Sequence, residues 1–182
     1  MIPLGILDSF YLSSFCTRTF KAMAFQLKTE RLDLSMWEES DSAWMRKLIG
    51  ERGVDLPTLD AVRSQLIEMR KRAVENGISL LTIRRRDEGD FIGYCGLIIG
   101  RSTLEEPEIA YELFRSVHRK GYATEAASVV LNAAITTGRH RLWSTVRAWN
   151  VASFRVLEKI GFERHHSTWD ERGEIVWNVR DL

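Results

Sequence analysis

Between Glu108 and Ile135 the chain reads EIAYELF, then RSVHRKG, then YATEAASVVLNAAI. An alternating run, a short basic loop and a long Ala- and Val-rich segment predict a strand, a loop and a helix. This layout constrains the chain because it aims backbone N–H groups at one spot. The first N–H groups of a helix have no partner inside it, and the helix dipole adds partial positive charge there. Gly121 keeps a Cβ out of the way of an approaching anion, and Arg119 and Lys120 add full charges. Read this way, the loop is a cradle for a diphosphate. An ordinary loop with two solvated cations has the same letters, so the stretch alone leaves both readings open.

The pattern on either side completes one domain. Gln26 to Met36 alternates as a first strand, and Glu39 to Ile49 reads as a short helix. Thr58 or Asp60 can cap a second helix, which Asn76-Gly77 stops. Ile78 to Arg84 and Phe91 to Ile99 form a hairpin whose tip, Arg84 to Asp90, compensates its own charges. Gly93, Gly96 and Gly100 lie within or at the end of a strand with no helix after them, so they are not a dinucleotide loop. After the helix at Gly121 to Thr137 come a strand (Leu142 to Trp149), a helix (Val151 to Ile160) and a closing hairpin around Asp170 to Gly173. The fold class is mixed α/β, with a mostly antiparallel sheet flanked by helices.

Composition matters mainly for what it excludes. At 182 residues with a formal net charge of +1, nothing global announces nucleic acid or an anionic membrane. No apolar run approaches a membrane span. Cys16 and Cys95 make neither a disulfide framework nor a metal pattern, which fits reduced thiols in a cytoplasmic protein. Residues 1–24 show neither helical nor strand periodicity. They read as an extension, or as an upstream stretch before a start at Met23, with the domain spanning 25–182. Ala22-Met23-Ala24 also resembles a small-residue cleavage site.

Two segments in order, EIAYELFRSVHRKGYATEA and VRAWNVASFRVLEKIGFE, resemble the GNAT-type N-acetyltransferase family. The similarity is to the branch that includes ribosomal-protein-alanine N-acetyltransferases. TERLDL and DFIGYCGLI look like the same branch, so the resemblance runs over residues 25–180. It implies acetyl-CoA as co-substrate, an amine acceptor, direct transfer and no metal, in a monomer or homodimer. It implies a diphosphate held by the N–H groups of Arg119, Lys120, Gly121, Tyr122, Ala123 and Thr124. It also implies a pantetheine arm laid into a splay of the sheet, against backbone groups of Leu113, Phe114 and Arg115 and near Asn150. The departures are His118 at the first place of the family's R/Q-x-x-G-x-G/A loop, Arg119 where glycine is common, and Arg115 where proline is common. Leu157 stands where many relatives carry a tyrosine as general acid, which leaves Ser153 as the candidate.

Acetyl transfer needs a neutral amine. At pH 7 about one α-amine in ten is neutral, but only about one lysine in 2,500. Glu108 matches the family's usual base position, and Glu112, on the same strand face, is the reserve candidate. A solvated carboxylate is the bland reading of either, a turn residue that of Asn150, and a helix-start hydroxyl that of Ser153. His165 and His166 should alternate across a strand and so not share a metal. Trp143, Trp149, Trp169 and Trp177 read as core and sheet packing. Two other functions fit the same residues: a non-catalytic acyl-CoA binding module, and transfer from another donor such as succinyl-CoA. The acceptor itself carries no readable code.

Overall fold

The N-terminal strand expected over Gln26 to Met36 is two strands, β1 (Gln26–Lys28) and β2 (Leu32–Ser35), paired antiparallel about a turn. Thr29 makes the turn: its hydroxyl accepts the Leu32 N–H at 2.9 Å, and its own N–H donates to the Leu32 carbonyl at 2.9 Å. The structure is a computed structural model and describes residues 20–182.

A 3-10 turn (Glu39–Asp41) leads into helix α1 (Ser42–Gly50), and α2 (Leu59–Asn76) follows a loop. Thr58 caps α2 by accepting the Ala61 N–H at 3.2 Å, and Gly77, at φ +66°, ends it in the left-handed region. Then come β3 (Leu80–Arg85), β4 (Phe91–Ile98) and β5 (Glu108–Leu113), a 3-10 turn (Arg115–Val117), and α3 (Tyr122–Ile135). The chain closes with β6 (Arg141–Arg147), α4 (Val151–Lys159), β7 (Glu163–Asp170) and β8 (Gly173–Asp181). The sheet order is β1-β2-β3-β4-β5-β6-β8-β7, and every pairing is antiparallel except β5 with β6. Gly93 and Gly96 serve strand contact: a Cβ on either would overlap the carbonyl of Glu112 or of Ser79.

Strand alternation divides the helices between the two faces of the sheet. On β5, Tyr111 reaches the Ser153 carbonyl in α4, while its neighbour Glu112 reaches Arg52 just beyond α1. α3 packs on α4, β4 and β5; α1 packs on α2 and β4. The core under α1 is aromatic, with Trp37 5.6 Å from Phe91 and Phe91 edge-on to Phe114 at 5.8 Å.

The packed domain begins earlier than Phe25. Met23 is 2% exposed, and its N–H donates to the Gly77 carbonyl at 2.9 Å. Lys21 N–H donates to the Thr137 carbonyl at 3.0 Å, and Arg139 stacks over the Phe20 ring. The short segment 20–24 thus bridges the ends of α2 and α3, a role that periodicity could not reveal. The rest of the expected extension, residues 1–19, lies outside the described residues.

A protein beginning at Phe25 should melt below one beginning at Phe20. Burying a Met side chain contributes about 1.5–3 kcal/mol, and a domain of this size shifts roughly 2–4 °C per kcal/mol. Equal melting temperatures by circular dichroism would show that Met23 does not anchor the segment.

Candidate functional site

β5 and β6 share a single registered pair, Glu108 with Trp143. The Trp143 N–H donates to the Pro107 carbonyl at 2.9 Å. One step further the Ser144 hydroxyl, not a backbone group, donates to the Ile109 carbonyl at 3.1 Å. Beyond that the strands diverge, closed at Glu108 and open toward Leu113. Leu113 pairs with Gly93 on β4, and Phe114 N–H donates to the Ile92 carbonyl at 2.9 Å. By antiparallel alternation the backbone groups of Tyr111 and Leu113 therefore face away from β4, into the gap.

The three residues expected to supply backbone groups there fare differently. The Leu113 N–H faces the gap, and its carbonyl lies 2.9 Å from His118 Nε2. The Phe114 N–H is committed to β4. The Arg115 N–H is taken by the Glu51 carboxylate at 2.8 Å, and its guanidinium by the Glu51 carbonyl at 2.7 Å.

At the open end lies the basic loop. Glu125 N–H makes the first helical bond, to the Gly121 carbonyl at 3.0 Å, so the N–H groups of Tyr122, Ala123 and Thr124 precede any helical acceptor. Arg119 and Lys120 stand exposed beside them. Arg119 has φ +63°, the left-handed region that a Cβ disfavours by about 1 kcal/mol or more, which gives a physical reason for glycine at this place in relatives. Gly121, at φ +84°, needs its conformational freedom too. A Cβ there would come 3.4 Å from Arg31 Nη2.

Arg31 is the residue that sequence reasoning missed here. From the β1–β2 turn it donates to the Lys120 carbonyl at 3.0 Å and to Glu125 Oε2 at 2.7 Å, and it lies 4.7 Å from the Tyr122 ring centre. Burial pulls the Glu125 carboxyl up, but bonds from the Thr29 hydroxyl, the Arg31 N–H and the Arg31 guanidinium outweigh it and hold the group below its ordinary value. The only prior signal was TERLDL, which tied the arginine to nothing.

Glu108 and Glu112 share a face, as alternation requires, but differ in setting. Glu108 is 3% exposed at the closed end, accepting the Thr145 hydroxyl at 2.6 Å on one oxygen and the Arg101 N–H on the other. The Arg101 guanidinium reaches on to Asp170, which also holds Arg147 in a two-point pair. Those bonds, with the Arg172 N–H, hold Asp170 down to about 2. Glu112 sits near the open end, gripped by Arg52 and by the Tyr94 hydroxyl at 2.9 Å. Burial first, then the Glu112 charge, pushes the Tyr94 phenol up, which keeps it a donor.

Across the gap, Asn150 caps α4: its Oδ1 accepts the Ser153 N–H at 3.2 Å. Ser153 is half-buried in the first turn, and its carbonyl accepts the Tyr111 hydroxyl at 3.0 Å. Leu157 is 1% exposed in the core. Two expectations fail elsewhere. A bulge between Arg164 and His166 breaks the alternation and brings His165 Nδ1 within 2.8 Å of His166 Nδ1, beside Trp143. Trp143 and Trp177 do pack together, but Trp149 and Trp169 are 75% and 70% exposed.

Cys95 lies in β4, paired in register with Tyr111, with no exposure, and burial pushes its thiol up. In a Cys16→Ser protein, a disulfide reagent should label no thiol in the folded state and one after denaturation. Fast labelling of the folded protein would show that this part of the core opens.

The comparisons with known proteins bear on the family and the fold. The family model described as acetyltransferase (GNAT) domain matches residues 28–163. A probable N-acetyltransferase of Bacillus subtilis (strain 168), YjcK, is 30% identical over 115 residues, 62% of this chain and 64% of the relative. The matches span 47–64% of the length of the curated relatives. Among solved structures, a putative GNAT-family acetyltransferase from Bordetella pertussis superposes with a TM-score of 0.75 at 20% identity, covering 85% of this chain and 98% of that one. RimL, a ribosomal-protein α-N-acetyltransferase solved in complex with coenzyme A, gives 0.75 at 13% identity, covering 86% and 98%. At such identities the structural likeness is one of fold, whereas the family model covers most of the chain. Sequence and architecture together therefore make this chain a member of the GNAT acetyltransferase family.

Proposed function

We propose that the protein moves an acetyl group from acetyl-CoA to a primary amine, of a protein N-terminus or a small molecule, by direct transfer. The observation that carries the reading is the continuity of three features along β5. A helix start with free N–H groups lies at one end, a gap lined by unpaired strand backbone follows, and a buried carboxylate closes the other end. The solved coenzyme A complex of RimL, on the same fold, supports the same ligand.

The residues fit that ligand by their chemistry. N–H groups from Arg119 to Thr124 and the charges of Arg119 and Lys120 suit a diphosphate. From Leu113 to Glu108 an extended arm along β5 would run about 16 Å. Bound acetyl-CoA supplies a thioester whose carbonyl carbon accepts the amine; the C–N bond forms, the C–S bond breaks, and a thiolate leaves. Glu108 would take the amine proton, while the Leu113 N–H, at the other end of β5, would meet the pantetheine arm. Ser153 would offer a proton to sulfur, a small service because a thiolate with pKa near 8.5 leaves readily. Glu112 is the reserve base.

A second reading, a non-catalytic acyl-CoA module, draws on the near-complete burial of Glu108 with both oxygens bonded. Thiol release with a panel of peptide amino termini, polyamines, aminoglycosides and amino acids separates the two, and competition with succinyl-CoA tests the donor.

Glu108→Gln should lower kcat/KM about 100-fold near neutral pH if the carboxylate is a direct base. Raising the pH should recover the loss, because the amine then deprotonates unaided, and sooner for an α-amine than for a lysine. Ser153→Ala should give a smaller, nearly pH-independent drop. Full activity of Glu108→Gln at neutral pH would move the base to Glu112 or to solvent.

A further inference from the structure

We propose that Arg31 is a positioning residue for the diphosphate cradle, turning the Gly121 N–H toward the anion and cancelling the charge of Glu125. The proposal rests on the acetyl-CoA reading above.

The first half follows from peptide geometry. Arg31 Nη1 holds the Lys120 carbonyl at 3.0 Å. In a trans peptide the carbonyl and the next N–H point in opposite directions, so fixing the Lys120 carbonyl on Arg31 aims the Gly121 N–H at the other side of the loop. Gly121 gives the loop the φ of +84° that this turn of the peptide needs, and a Cβ there would lie in van der Waals contact with the guanidinium, at 3.4 Å.

The second half is electrostatic. Glu125 sits in the first turn of α3, where its carboxylate would share space with a bound diphosphate and repel it. It is instead turned back and saturated. Oε1 accepts the Thr29 hydroxyl at 2.5 Å and the Arg31 N–H at 3.0 Å; Oε2 accepts Arg31 Nε at 2.7 Å and pairs with Nη2 at 2.5 Å. One guanidinium therefore occupies both the carbonyl and the carboxylate that would oppose an anion. The β1–β2 turn and the loop before α3, remote in sequence, act as one unit.

A double-variant cycle tests this with coenzyme A as the probe, by calorimetric titration and by KM and kcat for acetyl-CoA. Arg31→Ala should weaken coenzyme A binding by roughly 10- to 100-fold, the loss expected for hydrogen bonds to charged groups, and should raise KM with little change in kcat. Arg31→Lys keeps the charge but cannot span both acceptors, so it should fall in between. Arg31→Ala with Glu125→Gln should regain part of the affinity, because the exposed carboxylate is gone while the Lys120 carbonyl stays unheld. If Arg31→Ala does not fold, Arg31→Lys with and without Glu125→Gln runs the same cycle. Binding by Arg31→Ala equal to the parent, or a double variant no tighter than the single, overturns the proposal. A parent that binds no coenzyme A overturns the cofactor reading itself, a distinct result.

Discussion

Two parallel strands bonded at one end only leave backbone groups that the chain must satisfy in other ways, and much of this structure follows from that constraint. The Ser144 hydroxyl covers the Ile109 carbonyl where the ladder stops, and His118 covers the Leu113 carbonyl at the far end. Phe114 returns its N–H to β4, and Arg115 gives its own to Glu51. What remains facing the gap is a short row of strand groups. A ligand arm with amides of its own is the natural complement to such an edge.

The rims of the gap are held by charge. Glu51 and Arg52 fasten the end of α1 to Arg115 and Glu112 on one side. On the other, Asp170 gathers Arg101 and Arg147 and ties the β7–β8 hairpin to the loop after β4. Exposed ion pairs contribute little one at a time, yet here several meet at each rim and fix where the loops stand. The gap is thus framed by residues whose charges are already paired with one another.

The sequence was most informative where structure is local. The Gly77 stop and the strand–loop–helix at Glu108 to Ile135 are written in neighbouring letters and appear in the fold as read, and of the two caps offered for α2, Thr58 and Asp60, Thr58 is the one used. The strand face shared by Glu108 and Glu112 was legible for the same reason. What escaped were facts set by distant partners. Nothing in TERLDL says that Arg31 will meet Glu125, and nothing near Met23 says that it will be buried against Gly77. Alternation also misplaces the two histidines once a bulge adds a residue between Arg164 and His166. Gly121 does take a backbone conformation that favours glycine, but only the fold shows that the space beside it belongs to Arg31.

The single registered pair between β5 and β6 has a mechanical meaning as well. The sheet consists of two blocks, β1 to β5 and β6 to β8, each laced by its own antiparallel ladders. Widening the seam between them would break hardly any ladder bonds. It is opposed instead by α3, which lies on β4 and β5 and packs against α4, and by side-chain bonds across the seam such as Thr145 to Glu108 and Tyr111 to Ser153. Helix contacts are graded and can slide, whereas ladder bonds are kept or lost. The sheet is therefore stiff within each block and compliant across one line, and that line is where a ligand arm would have to enter and leave.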